Sequence, residues 1–332
     1  LGGGTPTALP ESLLRRFVEG YAEIFSEPQS RMSTVEAKPI TATLEKLRIF
    51  RQAGFRRINL GVQTLDPALY AFHHHGEDVE EAIQALSRAR QAGFEWINID
   101  LMIGLEKQTT DSWKQTLQRT KELVQAGLVD SVFYYPFHDD PRSRTYHHDG
   151  LCPDAIDVLH ADAQGRAHFE GLGWLELGPR FFRSPAHAAC EFNEVMRLKV
   201  VPGYGDTLWL GFGNSAYSVG DECTYLNVRD TEGYIEKVQA GGMAIDYFTT
   251  INRAQKAARD LTFALLYAPW TAAWRVAQKY GDDTVEPHLA HLRRWARLGL
   301  GTFDEDWKLF TLNRLGKLLH QQMIPTLYLK ED

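Results

Sequence analysis

Apolar residues at Leu13, Leu14, Phe17, Val18, Tyr21 and Ile24 recur at helical spacing and predict a helix from Pro10 to about Phe25. A short strand is predicted over Met32 to Glu36, closed by Pro39. Leu44, Leu47 and Phe50 share one face of a second helix, Thr41 to Ala53, which Gly54 stops. Strand and helix then alternate: Arg57 to Gln63 as strand, Asp78 to Ala92 as helix ending at Gly93, Trp96 to Met102 as strand, Thr109 to Gln125 as helix, Val129 to Tyr135 as strand. Short connections between alternating elements predict a parallel α/β barrel or sheet. After Pro141 the alternation fades into a helix over His160 to Gly173, the apolar run Trp174-Leu175-Glu176-Leu177, and a glycine-rich stretch from Gly203 to Gly220. From Thr250 the pattern is mainly helical, over Ala254 to Tyr267, Trp270 to Lys279 and Pro287 to Leu298. A strand-like Trp307 to Thr311 and an amphipathic helix, Asn313 to Gln322, close the chain. Three segments are expected: 1–140, 141–249 and 250–332.

In a parallel barrel, functional side chains gather where strands end. Leu1-Gly2-Gly3-Gly4-Thr5, followed by Pro6, reads as a strand end turning into a loop that only bare backbone can follow. Such a loop can offer N–H groups to a ligand. Reading only the strand ends gives Gly3, Gly4 and Thr5, then Glu36, Gln63, Asp100, and Tyr134 to Phe137. Glycines, carboxylates and an amide suit a ligand that carries an amino group, a carboxylate and a ribose.

Composition narrows the class. The 332 residues are 44% hydrophobic and 24% charged, as in ordinary soluble globular proteins, and no apolar run reaches membrane-spanning length. A net charge of -7 gives no basic footprint and argues against nucleic acid as a partner. Cys152, Cys190 and Cys223 are too dispersed for a local metal motif and too few for a disulfide framework, which favours a reduced, cytoplasmic compartment. The first residue is a leucine already at a strand end, and the chain is therefore expected to lack an upstream segment.

Five stretches occur in the order and spacing of a known family: Leu1-Gly-Gly-Gly-Thr-Pro-Thr, Thr34-Val-Glu-Ala-Lys-Pro39, Arg57-Ile-Asn-Leu-Gly-Val-Gln-Thr-Leu-Asp66, Asn98-Ile-Asp-Leu-Met-Ile-Gly-Leu105 with Gln108-Thr109, and Gly211-Phe-Gly-Asn-Ser-Ala-Tyr-Ser-Val-Gly-Asp221. In these the chain resembles the radical S-adenosylmethionine (SAM) enzymes typified by oxygen-independent coproporphyrinogen III oxidase. The resemblance implies an α/β fold, a partial (β/α)6 barrel here lacking its first strand-helix unit, with a mainly helical, winged-helix-like C-terminal domain. It implies a [4Fe-4S] cluster with SAM bound on it, and an electron donor such as flavodoxin or ferredoxin. Gly3, Gly4 and Thr5 would meet the methionine end of SAM and Glu36 would face it. Gln63 and Asp100 match positions lining a second SAM, Pro136 would lend backbone near an adenine, and Tyr217 lies in the motif that touches SAM after the barrel.

The sequence departs from the family twice. The cluster-binding C-x3-C-x2-C motif is absent from these residues, so the chain alone is expected to hold no cluster and to be inactive. His73-His74-His75 replaces a stretch where the family carries an arginine, and His75 would meet a SAM carboxylate without arginine's fork or permanent charge. The expected activity is a two-SAM, methyl-transferring branch acting on an aromatic or natural-product substrate. Alternatives are tetrapyrrole chemistry, either coproporphyrinogen decarboxylation or haem breakdown, and a non-catalytic haem carrier. The histidines read as a solvated helix entrance more than a metal patch. Tyr134, Tyr135, Phe137, Trp209 and Tyr217 form either an aromatic pocket or ordinary core, and His138-Asp139-Asp140 either a carboxylate cluster or an acidic loop. No residue is assigned as catalytic.

Overall fold

A computed structural model describes residues 1–25, 33–137, 153–185 and 209–327. Met32, His138-Asp139-Asp140, Cys152, Cys190 and Gly203 lie outside them. Two compact units divide the chain, Leu1–Phe192 and Asn193–Asp332.

The first unit begins with α1 (Glu11–Ile24), β1 (Thr34–Ala37), α2 (Leu44–Gln52), β2 (Arg57–Gln63), α3 (Pro67–His73) and α4 (Val79–Ala92). It continues with β3 (Trp96–Ile103), α5 (Thr110–Gln125), β4 (Ser131–Pro136), α6 (Ala155–Gly171), β5 (Leu175–Gly178) and β6 (Phe181–Arg183). The strands form one six-stranded sheet in the order β1-β2-β3-β4-β6-β5. β1 to β4 are parallel, as the alternation predicts. The hairpin β5–β6 then adds antiparallel to β4, where the alternation has faded. Leu1 takes up the free edge of β1, its nitrogen donating to Thr34 O and its carbonyl accepting from Glu36 N.

Successive side chains of a strand point to opposite faces, and here the two faces differ in kind. On one, Val35, Ala37, Ile58, Leu60, Val62, Ile97, Ile99, Leu101, Ile103, Val132 and Phe182 are all buried in a single apolar cluster. Leu14 and Val18 of α1, Leu47 and Phe50 of α2, Leu86 of α4, and Trp113 and Leu117 of α5 complete it. The other face carries the polar residues, in rows fixed by register. Glu36, Asn59, Asn98, Ser131 and Arg183 form one row, and Gly61, Asp100, Phe133 and Phe181 the next in register. We call this second face the inner face.

The helices start and stop on local chemistry. Asp78 caps α4 by accepting from Glu80 N, and Gly93 closes it in a left-handed conformation. Thr109 and Ser112 form a reciprocal capping box at α5. The pattern missed α3 although Asp66-Pro67 announces it, Asp66 capping and Pro67 in the first turn. The histidine run therefore lies at the C-terminal end of α3, not at a helix entrance.

Behind β4, Asp162 joins α6 to the hairpin. It accepts from Tyr134 Oη at 2.8 Å and pairs with Arg166 at 3.1 Å and Arg180 at 2.8 Å, while Arg166 also pairs with Glu176. Asp162, Arg166 and Arg180 are almost wholly buried, so the two guanidiniums depend on these carboxylates.

In the second unit, β7 (Tyr217–Val219), β8 (Cys223–Asn227), α7 (Thr231–Gln239) and β9 (Ile245–Thr250) precede α8 (Arg253–Tyr267), β10 (Trp270–Ala272), α9 (Ala273–Tyr280) and α10 (Asp282–Arg297). The hairpin β11 (Gly301–Asp304) and β12 (Leu309–Leu312) and then α11 (Arg314–Met323) follow. Two antiparallel three-stranded sheets result, β7-β8-β9 and β10-β12-β11. The first of them went unpredicted: the glycine-rich reading ended at Gly220 and assigned no element between there and Thr250. The sequence also started α10 at Pro287, whereas the helix begins at Asp282 and carries that proline within it. Leu261, Val276, Leu289, Leu292, Trp295 and Phe310 pack the helices against the second sheet. Gly316 is required where α11 crosses the hairpin, since a Cβ there would stand 1.9 Å from Leu300 O. Among the described residues no helix is long and apolar enough to cross a membrane.

Asp162→Ala leaves Arg166 and Arg180 buried beside too few carboxylates and is expected to cost about 3–5 kcal/mol. Urea unfolding of the variant and parent measures the loss.

Candidate functional site

The inner face of the first unit collects most of the strand-end residues singled out by sequence. Gly3 N donates to Glu36 Oε2 at 3.1 Å, so the glycine loop and the first carboxylate are joined directly. The Glu36 carboxylate takes up the space beside Gly2: a Cβ there would lie 2.4 Å from it, so a side chain at this position would turn the exposed acid away from Gly3 N. Gly3 has φ +85°, and a Cβ at either Gly3 or Gly4 would meet nothing within 4 Å. The loop is thus open backbone on its outer side. It is anchored beyond Thr5 by Thr7, whose hydroxyl lies 2.7 Å from that of Thr41 and whose carbonyl accepts from Lys46 Nζ at 2.8 Å.

Gln63 ends β2 at φ +66°, beside a register shift against β3. Such a bulge turns the backbone out of the sheet. Gly61 leaves room for the Gln63 amide, since a Cβ there would lie 3.1 Å from Nε2. Asp100 is further along the same face, on β3. Burial pushes its carboxyl up to about 6, against the opposing influence of Arg57 and a hydrogen bond from Asn98, and Glu36 adds to the rise.

Other inner-face residues were not singled out as site residues. The Arg57 guanidinium lies 5.7 Å from the Trp96 ring centroid and 5.8 Å from that of Phe181. Asn59 Oδ1 is buried and without a hydrogen-bond partner. Asn98 and Ser131 are buried and hydrogen-bonded to one another. The signal for this group was the polar residue at every second position, Arg57 and Asn59 in one strand and Asn98 and Asp100 in the next.

The remaining expected residues are placed differently. Pro136 is the buried last residue of β4, opposite Ile103, and the next amide, Phe137 N, donates to Ile103 O at 2.7 Å. His75 is exposed beyond α3, with φ +55°. His73 Nε2 donates to Glu106 O at 3.0 Å, and the His74 ring stacks on Tyr70 at 4.0 Å, its pKa lowered chiefly by burial. Tyr217 opens β7 in the second unit and is half exposed. Of the aromatic group, Tyr134 is core, fully buried on the helix side, whereas Tyr135 is exposed. Gln108, part of a sequence motif, braces the turn after β3: Gly104 N donates to its Oε1 at 2.6 Å, and its Nε2 donates to Met102 O at 3.0 Å.

Comparison with known proteins follows the same lines. The profile of the Radical SAM superfamily matches residues 1–120. Oxygen-independent coproporphyrinogen III oxidase of Escherichia coli is 30% identical over 320 residues, covering 92% of this chain and 68% of that protein. Heme chaperone HemW of Bacillus subtilis is 38% identical over 330 residues, covering 97% and 83%. The solved structure of the Escherichia coli oxidase (HemN), described as a radical SAM enzyme, superposes with a TM-score of 0.83 at 26% identity, over 98% of this chain and 76% of that one. The chain belongs to the radical SAM family of oxygen-independent coproporphyrinogen III oxidase and the haem chaperone HemW. It spans 68% of the length of the Escherichia coli relative and 59% of the Salmonella typhimurium one.

Membership implies SAM and a [4Fe-4S] cluster. The residues present do not fit the cluster. Three cysteines stand far apart in sequence, and among the described residues no three His, Cys, Asp or Glu side chains are grouped to hold a metal.

The raised carboxyl of Asp100 carries a stability cost of known sign. Its folded-state value lies above the ordinary 3.8, so the native state loses stability as pH rises from about 4 through about 6. Asp100→Asn is expected to be more stable than the parent at neutral pH, by up to about 3 kcal/mol, with the difference vanishing near pH 4. Denaturant unfolding across that range checks it.

Proposed function

We propose that this chain binds SAM along the inner face of its first unit and handles a tetrapyrrole. The observation that carries the SAM reading is the placement of Glu36, joined to Gly3, on one face with Gln63 and Asp100. Its donors and acceptors fit the molecule: open glycine backbone at Gly3 and Gly4 with Thr5 beside it for the methionine end, Glu36 for the ammonium, Asp100 and Gln63 for ribose hydroxyls. The orphaned Asn59 Oδ1 offers a further acceptor. Pro136 lends strand-end backbone for the adenine, and His75 is a further contact of the same proposal. Bound SAM supplies the 5'-deoxyadenosyl radical in this superfamily. These residues hold and orient it, and an electron donor belongs only with a cluster.

The tetrapyrrole reading rests on the relatives, which are coproporphyrinogen III oxidases and a haem chaperone. A methyl-transferring branch and a second SAM find no support among them. Within the tetrapyrrole class a haem carrier is favoured over an oxidase by the 38% identity to the chaperone against 30% to the oxidase. The fold reading, a partial (β/α)6 barrel over 1–140, an extension over 141–249 and a winged-helix-like domain over 250–332, belongs to the same proposal. It is supported by the parallel β1 to β4 and by the helix–strand–helix–helix–hairpin order of the last segment.

Calorimetric titration with SAM is expected to show binding that Glu36→Ala and Asp100→Ala each weaken by about tenfold or more. Titration with hemin should give a saturable Soret shift. Absence of SAM binding removes the first half of the proposal, and SAM binding without a hemin shift removes the carrier.

A further inference from the structure

Three buried side chains of the inner face form a directed run of hydrogen bonds that ends at Asp100. Trp96 Nε1 donates to Ser131 Oγ at 2.6 Å, Ser131 Oγ donates to Asn98 Oδ1 at 2.7 Å, and Asn98 Nδ2 donates to Asp100 Oδ1 at 2.8 Å. Trp96 is 1% exposed and Asn98 and Ser131 are 0% exposed, so water does not compete for these bonds.

The first member sets the direction. An indole nitrogen gives a proton and offers no lone pair, so the serine oxygen must accept from it. The single hydroxyl proton then goes onward to Asn98 Oδ1, which turns the amide nitrogen toward the carboxylate. A reversed amide would set two acceptors face to face at Asp100. Strand alternation supplies the spacing: Trp96, Asn98 and Asp100 are successive inner-face residues of β3, and Ser131 is the register partner of Asn98 on β4.

We propose that Asn98, locked by Ser131 and Trp96, is the positioning residue that presents Asp100 to its ligand, holding Oδ1 and leaving Oδ2 to accept from a ligand hydroxyl. The inference deepens the SAM reading and rests on it for the ligand's identity. It does not rest on it for the orientation of the carboxylate.

The consequence is electrostatic. A hydrogen bond donated to a carboxylate favours its charged form. Arg57 from β2 acts on Asp100 in the same sense and Glu36 from β1 in the opposite one. The register partner on β4 is Phe133 and that residue's partner on β6 is Phe181, with Arg183 in the neighbouring row beside Ser131. Removing the Asn98 donor therefore moves Asp100 ionisation to higher pH.

Carbon-13 NMR titration of side-chain carboxyls in the full chain, with Asp100→Asn identifying the resonance, reads this without any ligand. Asn98→Leu, of similar shape, is expected to raise the Asp100 midpoint by about one pH unit, and Ser131→Ala by less. Ser131→Thr keeps the hydroxyl and should keep the parent midpoint. Should Asn98→Leu fail to fold, Ser131→Ala and Trp96→Phe, which remove one polar group each, carry the test. Midpoints that stay at the parent value in the folded Asn98→Leu, Ser131→Ala and Trp96→Phe variants overturn the proposal.

SAM titration of the same proteins separates this inference from the functional reading. The expected result is a fall of about tenfold in affinity at neutral pH for Asn98→Leu and parent affinity for Ser131→Thr. A parent that binds no SAM, with midpoints that shift, upholds the positioning role and removes SAM as the ligand. SAM binding with unmoved midpoints upholds SAM and removes the positioning role.

Discussion

A strand can turn only every second side chain into a hydrophobic core, and the first unit depends on that restriction. Because α1, α2, α4 and α5 pack on one side of the sheet, Val35, Leu60, Ile99 and Val132 face them. The residues between them include charged and amide side chains. The same periodicity that builds the core thus delivers Glu36, Asn59, Asn98 and Asp100 to a common surface. Register keeps them aligned across three parallel strands.

The two faces of the sheet treat buried charge in opposite ways. On the helix side, Asp162 and Glu176 meet Arg166 and Arg180, and Tyr134 adds a donor, so charges and hydrogen-bonding groups match within the protein. On the inner face, Asp100 has one hydrogen bond from Asn98 and its ionisation is opposed by burial, while Asn59 keeps an acceptor without a partner. A matched cluster stabilises the fold. An incompletely matched one lowers stability in exchange for a ready set of acceptors, which is the usual mark of a binding surface.

The parallel part of this arrangement was legible because it is written in local signals. Gly54 and Gly93 end helices, Asp78 and Thr109 begin them, and Arg57 to Gln63 and Trp96 to Met102 show the strand pattern. The edge was harder to read. The hairpin β5–β6 is short, and its pairing to β4 is decided by tertiary contacts such as Arg180 with Asp162. In the second unit, Tyr217 to Thr250 holds three strands whose large side chains, Tyr217, Tyr247 and Phe248 among them, are exposed, so no alternation of buried and exposed positions marks them. At the site, Glu36 and Gln63 were visible as polar ends of apolar strands, and Asp100 as a carboxylate expected at an end but placed inside β3. Alternation marked Asn98, but Ser131 and the bond between the two were not visible, because a small polar residue inside a strand is defined by its neighbour on the next strand, which sequence does not show.

The contact between Gly2 and Glu36 reaches beyond the single molecule. Thirty-four positions separate the two residues, yet any side chain at the first would occupy the space of the carboxylate at the second. A lineage that gives up glycine there must also shorten or redirect the acid, and with it the hydrogen bond to Gly3. A side chain at position 2 is therefore the mark of a descendant in which the acid no longer meets Gly3 N.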